Sequence, residues 1–233
     1  MEVGAAAWNK LVSDGADVLL NIRVSPLQLE QFATHIRELT LWNQKTNLTA
    51  ITDPAEAAVK HVVDSLAAAR WIPPETTVLD VGSGGGFPGI PLKILMPSLS
   101  VTLIDASRKK NSFQRHIIRT LKLDGITALQ QRVETLATAP DHMSAFSVII
   151  CRAFTHLSHF IETAAPLLKP DGVMIAMKGN ISDDEKTSAD AAVVRLLQTG
   201  NALQSRVVPY VLPFLNSERC LYIFSNADDF TTS

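Results

Sequence analysis

An α/β fold, built on a parallel sheet with helices on both faces and extended by N-terminal helices, is predicted by three features of this chain. Up to about Ala69 the apolar residues recur at helical spacing, and Pro73-Pro74 then breaks the period. From Thr76 onward short β-branched runs alternate with helical stretches. Such alternation demands a parallel sheet, because each crossover helix must cover one of its faces. The length of 233 residues suits one domain with an extension, divided as 1–72 and 73–233.

The elements follow in order. Ser25-Pro26 offers an N-cap and a first-turn residue, and Leu29, Phe32, Ile36, Leu39 and Trp42 then repeat at spacings of three and four. Asp53-Pro54 opens another helix, with Ala58, Val62, Ser65 and Leu66 on one face. Strands are expected at 78–81, 101–105, 126–130, 147–151 and 173–177, with helices at 88–96, 107–122, 157–168 and 182–197. Residues 207–212 and 221–224 read as a closing β pair. Ligands of such sheets bind at the carboxyl ends of the strands, so chemistry is sought just after each one.

Composition narrows the class. At 46% hydrophobic the chain can bury a full core. Its net charge of −2 does not announce a nucleic-acid binder, yet the charge is unevenly spread. Arg108, Lys109, Lys110, Arg115, Arg119 and Lys122 face one acid, Asp124, which makes that stretch +5 and the remainder −7. A local basic footprint on a near-neutral protein suits a selective RNA enzyme, although a solvated helix face is the plainer reading. Arg108, Arg115, Arg119 and Lys122 share one face, opposite Phe113, Ile117 and Leu121. Lys109 and Lys110, in the first turn, are the better candidates for phosphate contact.

Cys151 and Cys220 stand far apart in apolar runs and form neither a CxxC nor a metal spacing, which points to a reducing compartment. The N-terminus lacks signal-peptide character, and no apolar run approaches 18 residues. A cytoplasmic protein without a membrane span is expected. His156 and His159 lack suitably spaced partners, so no metal site is expected.

The first strand runs into Asp80-Val81-Gly82-Ser83-Gly84-Gly85-Gly86-Phe87-Pro88-Gly89. Gly82, Gly84 and Gly86 let the backbone bend sharply and approach a ligand. A dinucleotide fingerprint fits Gly84, Gly86 and Gly89, but it begins too late after the strand. The acid-x-G-x-G-x-G loop of class I methyltransferases begins at Asp80 and fits the context better. Its ligand, S-adenosylmethionine, carries an ammonium that an acid attracts, where a diphosphate would be repelled. Asp105, ending the second strand, is placed to accept both ribose hydroxyls. A glycine-rich turn without a ligand is the third reading.

The stretch Val148-Ile149-Ile150-Cys151-Arg152-Ala153-Phe154 bears on the nucleophile. It lacks the acid or Asn followed by Pro-Pro and an aromatic that serves exocyclic amines. Carbon-5 methylation of a pyrimidine needs an attacking cysteine, and Cys151 stands near the right place without the usual proline. Guanine N7 already presents a lone pair and needs no base, so catalysis reduces to alignment and exclusion of water. A site with no evident base is consistent with that demand.

These residues resemble the bacterial RsmG family, also called GidB. The resemblance runs from about Leu41 to Gly179. It rests on Trp42-Asn43, Asn47-Leu48-Thr49, His61 with Asp64-Ser65-Leu66, and Asp80 through Pro91. Arg132-Val133-Glu134, Ser147 through Phe154 and Lys178-Gly179 complete it. Gly85 departs mildly, since the family often carries Ala or Pro there.

The resemblance implies a class I, Rossmann-like methyltransferase fold and methylation at N7 of guanine 527 in 16S ribosomal RNA. Gly82 and Phe87 would contact the cofactor, Val133 and Glu134 would flank its adenine, and Arg152 would line the transfer pocket. Lys178 would face substrate, and Arg152 and Lys178 are the catalytic candidates. His61, with Asp64 on the same helix face, joins Arg108, Lys109, Lys110 and Arg115 as a candidate RNA contact. The partner would be 16S rRNA or the small subunit, met by a monomer. A ribosome-associated binding factor that keeps the fold without turnover is the alternative.

Overall fold

The computed structural model describes residues 1–153, 156–179, 181–198 and 203–225. Phe154, the last residue of the stretch after the fourth strand, lies outside them. Helix α1 (Ala6–Leu20) is followed by α2 (Pro26–Thr46), which opens with a capping box: Ser25 Oγ accepts from Gln28 N, and Gln28 Oε1 accepts from Ser25 N. Gln28 Nε2 also donates to the carbonyls of Ile94 and Leu95. Asp53 caps α3 (Pro54–Ala57), which runs into a π-helical turn (Ala58–Val63), then α4 (Asp64–Leu66) and a 3-10 turn (Ala67–Trp71). A plain helix was the expectation; the Asp64 N–H instead reaches back five residues to Val59 O and widens the coil around His61.

The remaining elements are β1 (Thr77–Val81), α5 (Gly89–Leu95), β2 (Ser100–Asp105), α6 (Arg108–Thr120), β3 (Ile126–Gln130) and α7 (Val133–Leu136). They continue with β4 (Phe146–Arg152), α8 (Leu157–Ala164), β5 (Leu168–Lys178), α9 (Asp183–Gln198), β6 (Gln204–Leu212) and β7 (Ser217–Ser225). The helix expected to reach Leu168 stops at Ala164. Pro166 has no N–H to continue it, and a 3-10 turn (Ala165–Leu167) leads straight into a longer β5.

Seven strands form one sheet in the order β3-β2-β1-β4-β5-β7-β6. β1 to β5 are parallel, while β7 inserts antiparallel between β5 and β6. The carboxyl ends of the five parallel strands therefore line one edge. Successive residues send side chains to opposite faces, so Val78, Val148 and Ile150 join one apolar cluster and Leu79, Ile149 and Cys151 the other. The first cluster also holds Trp8, Phe32 and Leu39, so the N-terminal helices share a core with one sheet face. Across that boundary His116 on α6 bonds Glu38 on α2 at 2.8 Å, and Trp42 packs on Phe113 and His116.

Candidate active site

The site begins with the turn after β1. Gly82, Gly84 and Gly86 have φ of 70°, 56° and 87°, a region glycine enters without strain. At Gly86 the need is also for space, since a Cβ would stand 2.3 Å from Ile90 Cδ1. At Gly84 a Cβ would meet only Gly82 O at 3.8 Å, which leaves that side of the loop open to a ligand. Gln114, buried on α6, donates to Ser83 Oγ and Gly84 O at 3.0 and 2.8 Å and so fixes the loop from behind.

Asp80 is wholly buried beneath this loop. Its Oδ2 accepts from Gly89 N at 2.8 Å, while Oδ1 has no partner. Burial pushes its carboxyl up to about 7, against the pull of the Gly89 N–H and of Arg152. Asp105 ends β2 with Oδ1 on Ser107 N at 2.8 Å and Oδ2 on Gly84 N at 3.0 Å. Each oxygen keeps a further lone pair. Asp105 lines a cleft of about 280 Å³ with Gly82, Val133 and Glu134, so four of the expected cofactor residues meet there. Glu134, at its rim, pairs with His159 at 3.0 Å. Among the described residues no group of His, Cys and acids could hold a metal ion.

Phe87 packs beside the loop rather than in this cleft. Its ring is the middle layer of a stack, with His35 at 4.6 Å and His61 at 4.5 Å between centroids and Arg152 4.9 Å from its centre. Packing against α2 and the π turn occupies its faces, so the ring lies outside the cleft. His35 carried no sequence signal beyond its helix. It is fully buried, and since Gly85 O can only accept, Nε2 carries the hydrogen of their 2.8 Å bond.

His61 differs from expectation. Arg152 Nη2 donates to its Nδ1 at 3.3 Å, so Nε2–H is the donor to Thr49 Oγ1 at 2.8 Å. A ring buried and engaged on both nitrogens is not a cationic surface contact for RNA. Asn43 clamps the backbone of Thr49 in both directions, at 2.8 and 2.9 Å, which gives the Asn43 and Thr49 motif its physical content.

Burial lowers His35 to about 4 and His61 to about 3, with Arg152 adding to both shifts. The unfolded chain protonates both rings below about pH 6.5, whereas the folded chain does not until far lower, so they withdraw stability as pH falls. Asp80 acts the other way: the folded chain keeps its proton up to about 7, while the unfolded chain loses it near 3.8. Between pH 4 and 6.5, unfolding therefore takes up about one net proton from these three groups. Stability is expected to fall by about 1.4 kcal/mol per pH unit on acidification. Asp80→Asn removes the opposing proton and should roughly double that slope in urea titrations. An unchanged slope would refute this account.

Arg152, at the end of β4, also donates to Lys60 O at 2.8 Å and lies 3.6 Å from Asp64 Oδ2. It lines a second pocket, of about 440 Å³, with Lys60, His61, Asp64, Lys178, Tyr210 and Arg219. Lys178, ending β5, pairs with Glu185 at 2.8 Å. Tyr210 on β6 donates to Asp64 Oδ1 at 2.9 Å. Tyr210 and Arg219 had no sequence signal, because they reach Asp64 only through the insertion of β7. Cys151 is fully buried, and burial pushes its thiol well up, so it is no nucleophile.

Of the candidate RNA contacts, Arg108, Lys109 and Arg115 are exposed, and Arg115 Nε donates to Ala128 O at 3.3 Å. Lys110 turns back to within 3.7 Å of Asp105.

The strand order, the glycine loop and the acid at the end of β2 define a class I S-adenosylmethionine-dependent methyltransferase. An O-methyltransferase from Bacillus cereus, in complex with SAH, shares the fold at a TM-score of 0.60 and 17% identity, covering 94% of this chain and 99% of its own. A SAM-dependent methyltransferase from Aquifex aeolicus matches at 0.54 and 18%, covering 77% and 97%.

The chain belongs to the GidB family, rRNA small subunit methyltransferase G, which matches residues 28–205. Proteins called ribosomal RNA small subunit methyltransferase G from Geobacter sp. (strain M21) and Geotalea uraniireducens are 39% and 40% identical over 208 and 220 residues. They cover 88% and 94% of this chain and 91% and 97% of their own lengths. The residues present fit S-adenosylmethionine: an open glycine turn, a carboxylate facing a cleft, and an unpartnered buried oxygen on Asp80.

Proposed function

We propose that this enzyme methylates N7 of a guanine in the 16S rRNA of the small ribosomal subunit, at position 527, as a cytoplasmic monomer. In this reading residues 1–72 are an extension packed on a catalytic domain of residues 73–233. One observation carries the choice of atom. Among the described residues of the Arg152 pocket, no side chain is free to act as base or nucleophile. His61 is engaged on both nitrogens, Asp64 has its charge balanced by two guanidinium groups and is left an acceptor rather than a base, and Cys151, outside the lining, is buried. A nucleophile with its own lone pair asks only for alignment.

The cofactor, when bound, supplies a methyl group on a sulfonium. The chain contributes placement. Asp105 and the cleft beside Val133 and Glu134 would hold the adenosine, while Arg152 and Lys178 would orient the base. The apolar strand ends would exclude water. Methyl transfer to small-subunit particles, followed by mass mapping of the 16S rRNA, tests this directly. Replacing the target guanine with 7-deazaguanine should abolish transfer. Transfer that persists would reject N7.

Arg108 and Lys109, exposed in the first turn of α6, supply the candidate phosphate contacts. Replacing both with alanine should reduce the salt slope of RNA binding by about 1–2 while sparing cofactor affinity. An unchanged slope would move the footprint elsewhere. Lys110 makes a poorer probe, since it neighbours Asp105.

A further inference from the structure

We propose that Asp64 selects guanine, accepting hydrogen bonds from N1–H and the 2-amino group of the target base; this rests on the guanine reading above. The 440 Å³ pocket is unbalanced in its polar groups. Lys60, Arg152, Lys178 and Arg219 supply donors only, His61 is engaged on both nitrogens, and Asp64 is the one carboxylate among the lining residues. A pocket of donors alone would suit a base edge made of acceptors. Guanine's Watson–Crick edge is different, with two adjacent donor groups, N1–H and N2–H, beside the O6 acceptor. A carboxylate flanked by cations matches that pattern. Adenine offers an acceptor at N1, which a carboxylate repels.

The surroundings of Asp64 aim it. Tyr210 donates to Oδ1 at 2.9 Å, and Arg219 Nε lies 3.9 Å from the same oxygen. Oδ2 is 3.6 Å from Arg152 Nη1, beyond hydrogen-bond length, so its acceptor capacity is unspent. The carboxylate is thus fixed by its neighbours without being saturated. Tyr210 is a positioning residue in this arrangement. A flipped base is read on its Watson–Crick edge in such pockets. A purine held by N1 and N2 leaves N7, on its far side, for the methyl donor.

The test uses the full chain and small-subunit particles reconstituted with 16S rRNA carrying guanine, inosine or 7-deazaguanine at the target position. Inosine keeps N7 and N1–H but lacks the 2-amino group. Wild type should methylate inosine particles about 10- to 100-fold less efficiently than guanine particles. In Asp64→Asn the guanine rate should fall toward the inosine rate, narrowing the ratio to within about threefold.

If Asp64 only pins the β6–β7 hairpin, the variant will lose both substrates equally and keep the wild-type ratio, which overturns the proposal. Equal wild-type rates on guanine and inosine overturn it without any variant. Should Asp64→Asn fail to fold, Tyr210→Phe leaves the carboxylate but not its aim, and the ratio must still narrow. Wild-type transfer to 7-deazaguanine particles would instead refute the N7 reading, and the Asp64 assignment with it.

Discussion

Arg152→Ala is expected to cost about 3–5 kcal/mol of stability and at least about 100-fold in turnover. The guanidinium ties β4 to the π turn through Lys60 O, holds His61 Nδ1 and faces Asp64. Its removal leaves a buried carboxylate short of a countercharge and a ring nitrogen without a donor. Arg152→Lys restores charge but not the planar fork, so it should recover part of the stability and less of the turnover. Thermal unfolding and single-turnover methyl transfer separate the two effects. An alanine variant with wild-type melting and turnover would remove Arg152 from the site.

Asp105→Ala should weaken S-adenosylmethionine binding by about 30- to 1000-fold, or roughly 2–4 kcal/mol for a charge-assisted pair. The same carboxylate ties Gly84 N to Ser107 N, so the loop and the start of α6 loosen together. Asp105→Asn keeps one acceptor oxygen and should fall between. Calorimetry on folded protein decides, and an unchanged dissociation constant in the alanine variant would reject the assignment.

The parallel core was legible because the central strands read as apolar runs and the first two crossovers begin at a glycine turn and a serine cap. Gly82 and Asp105 follow from their places at strand ends, since the sheet delivers every parallel strand end to one edge, whereas Val133 and Glu134 came only from the family resemblance. Phe87 was not legible in the same way. An aromatic in a glycine loop says nothing of which helices will cover it, and His35 and His61 arrive from two separate elements. The Tyr210–Asp64 bond joins residues 146 positions apart, so no local pattern could announce it. The π turn was hidden too, because one extra residue in a coil leaves the apolar spacing nearly unchanged.

The place of β7 bears on the order in which the chain can be made and folded. β1 to β5 pair among one another, but the outer edge of β5 has no partner until β7 has been synthesised. A nascent chain ending before β6 would carry an open strand edge, a template for pairing with other chains. It would also lack Tyr210 and Arg219, so the Arg152 pocket would stand without one wall. The cleft beside Asp105 takes no lining residue from beyond His159 and can form earlier. Cofactor binding should therefore precede completion of the target pocket during synthesis, with the C-terminal hairpin as the closing piece.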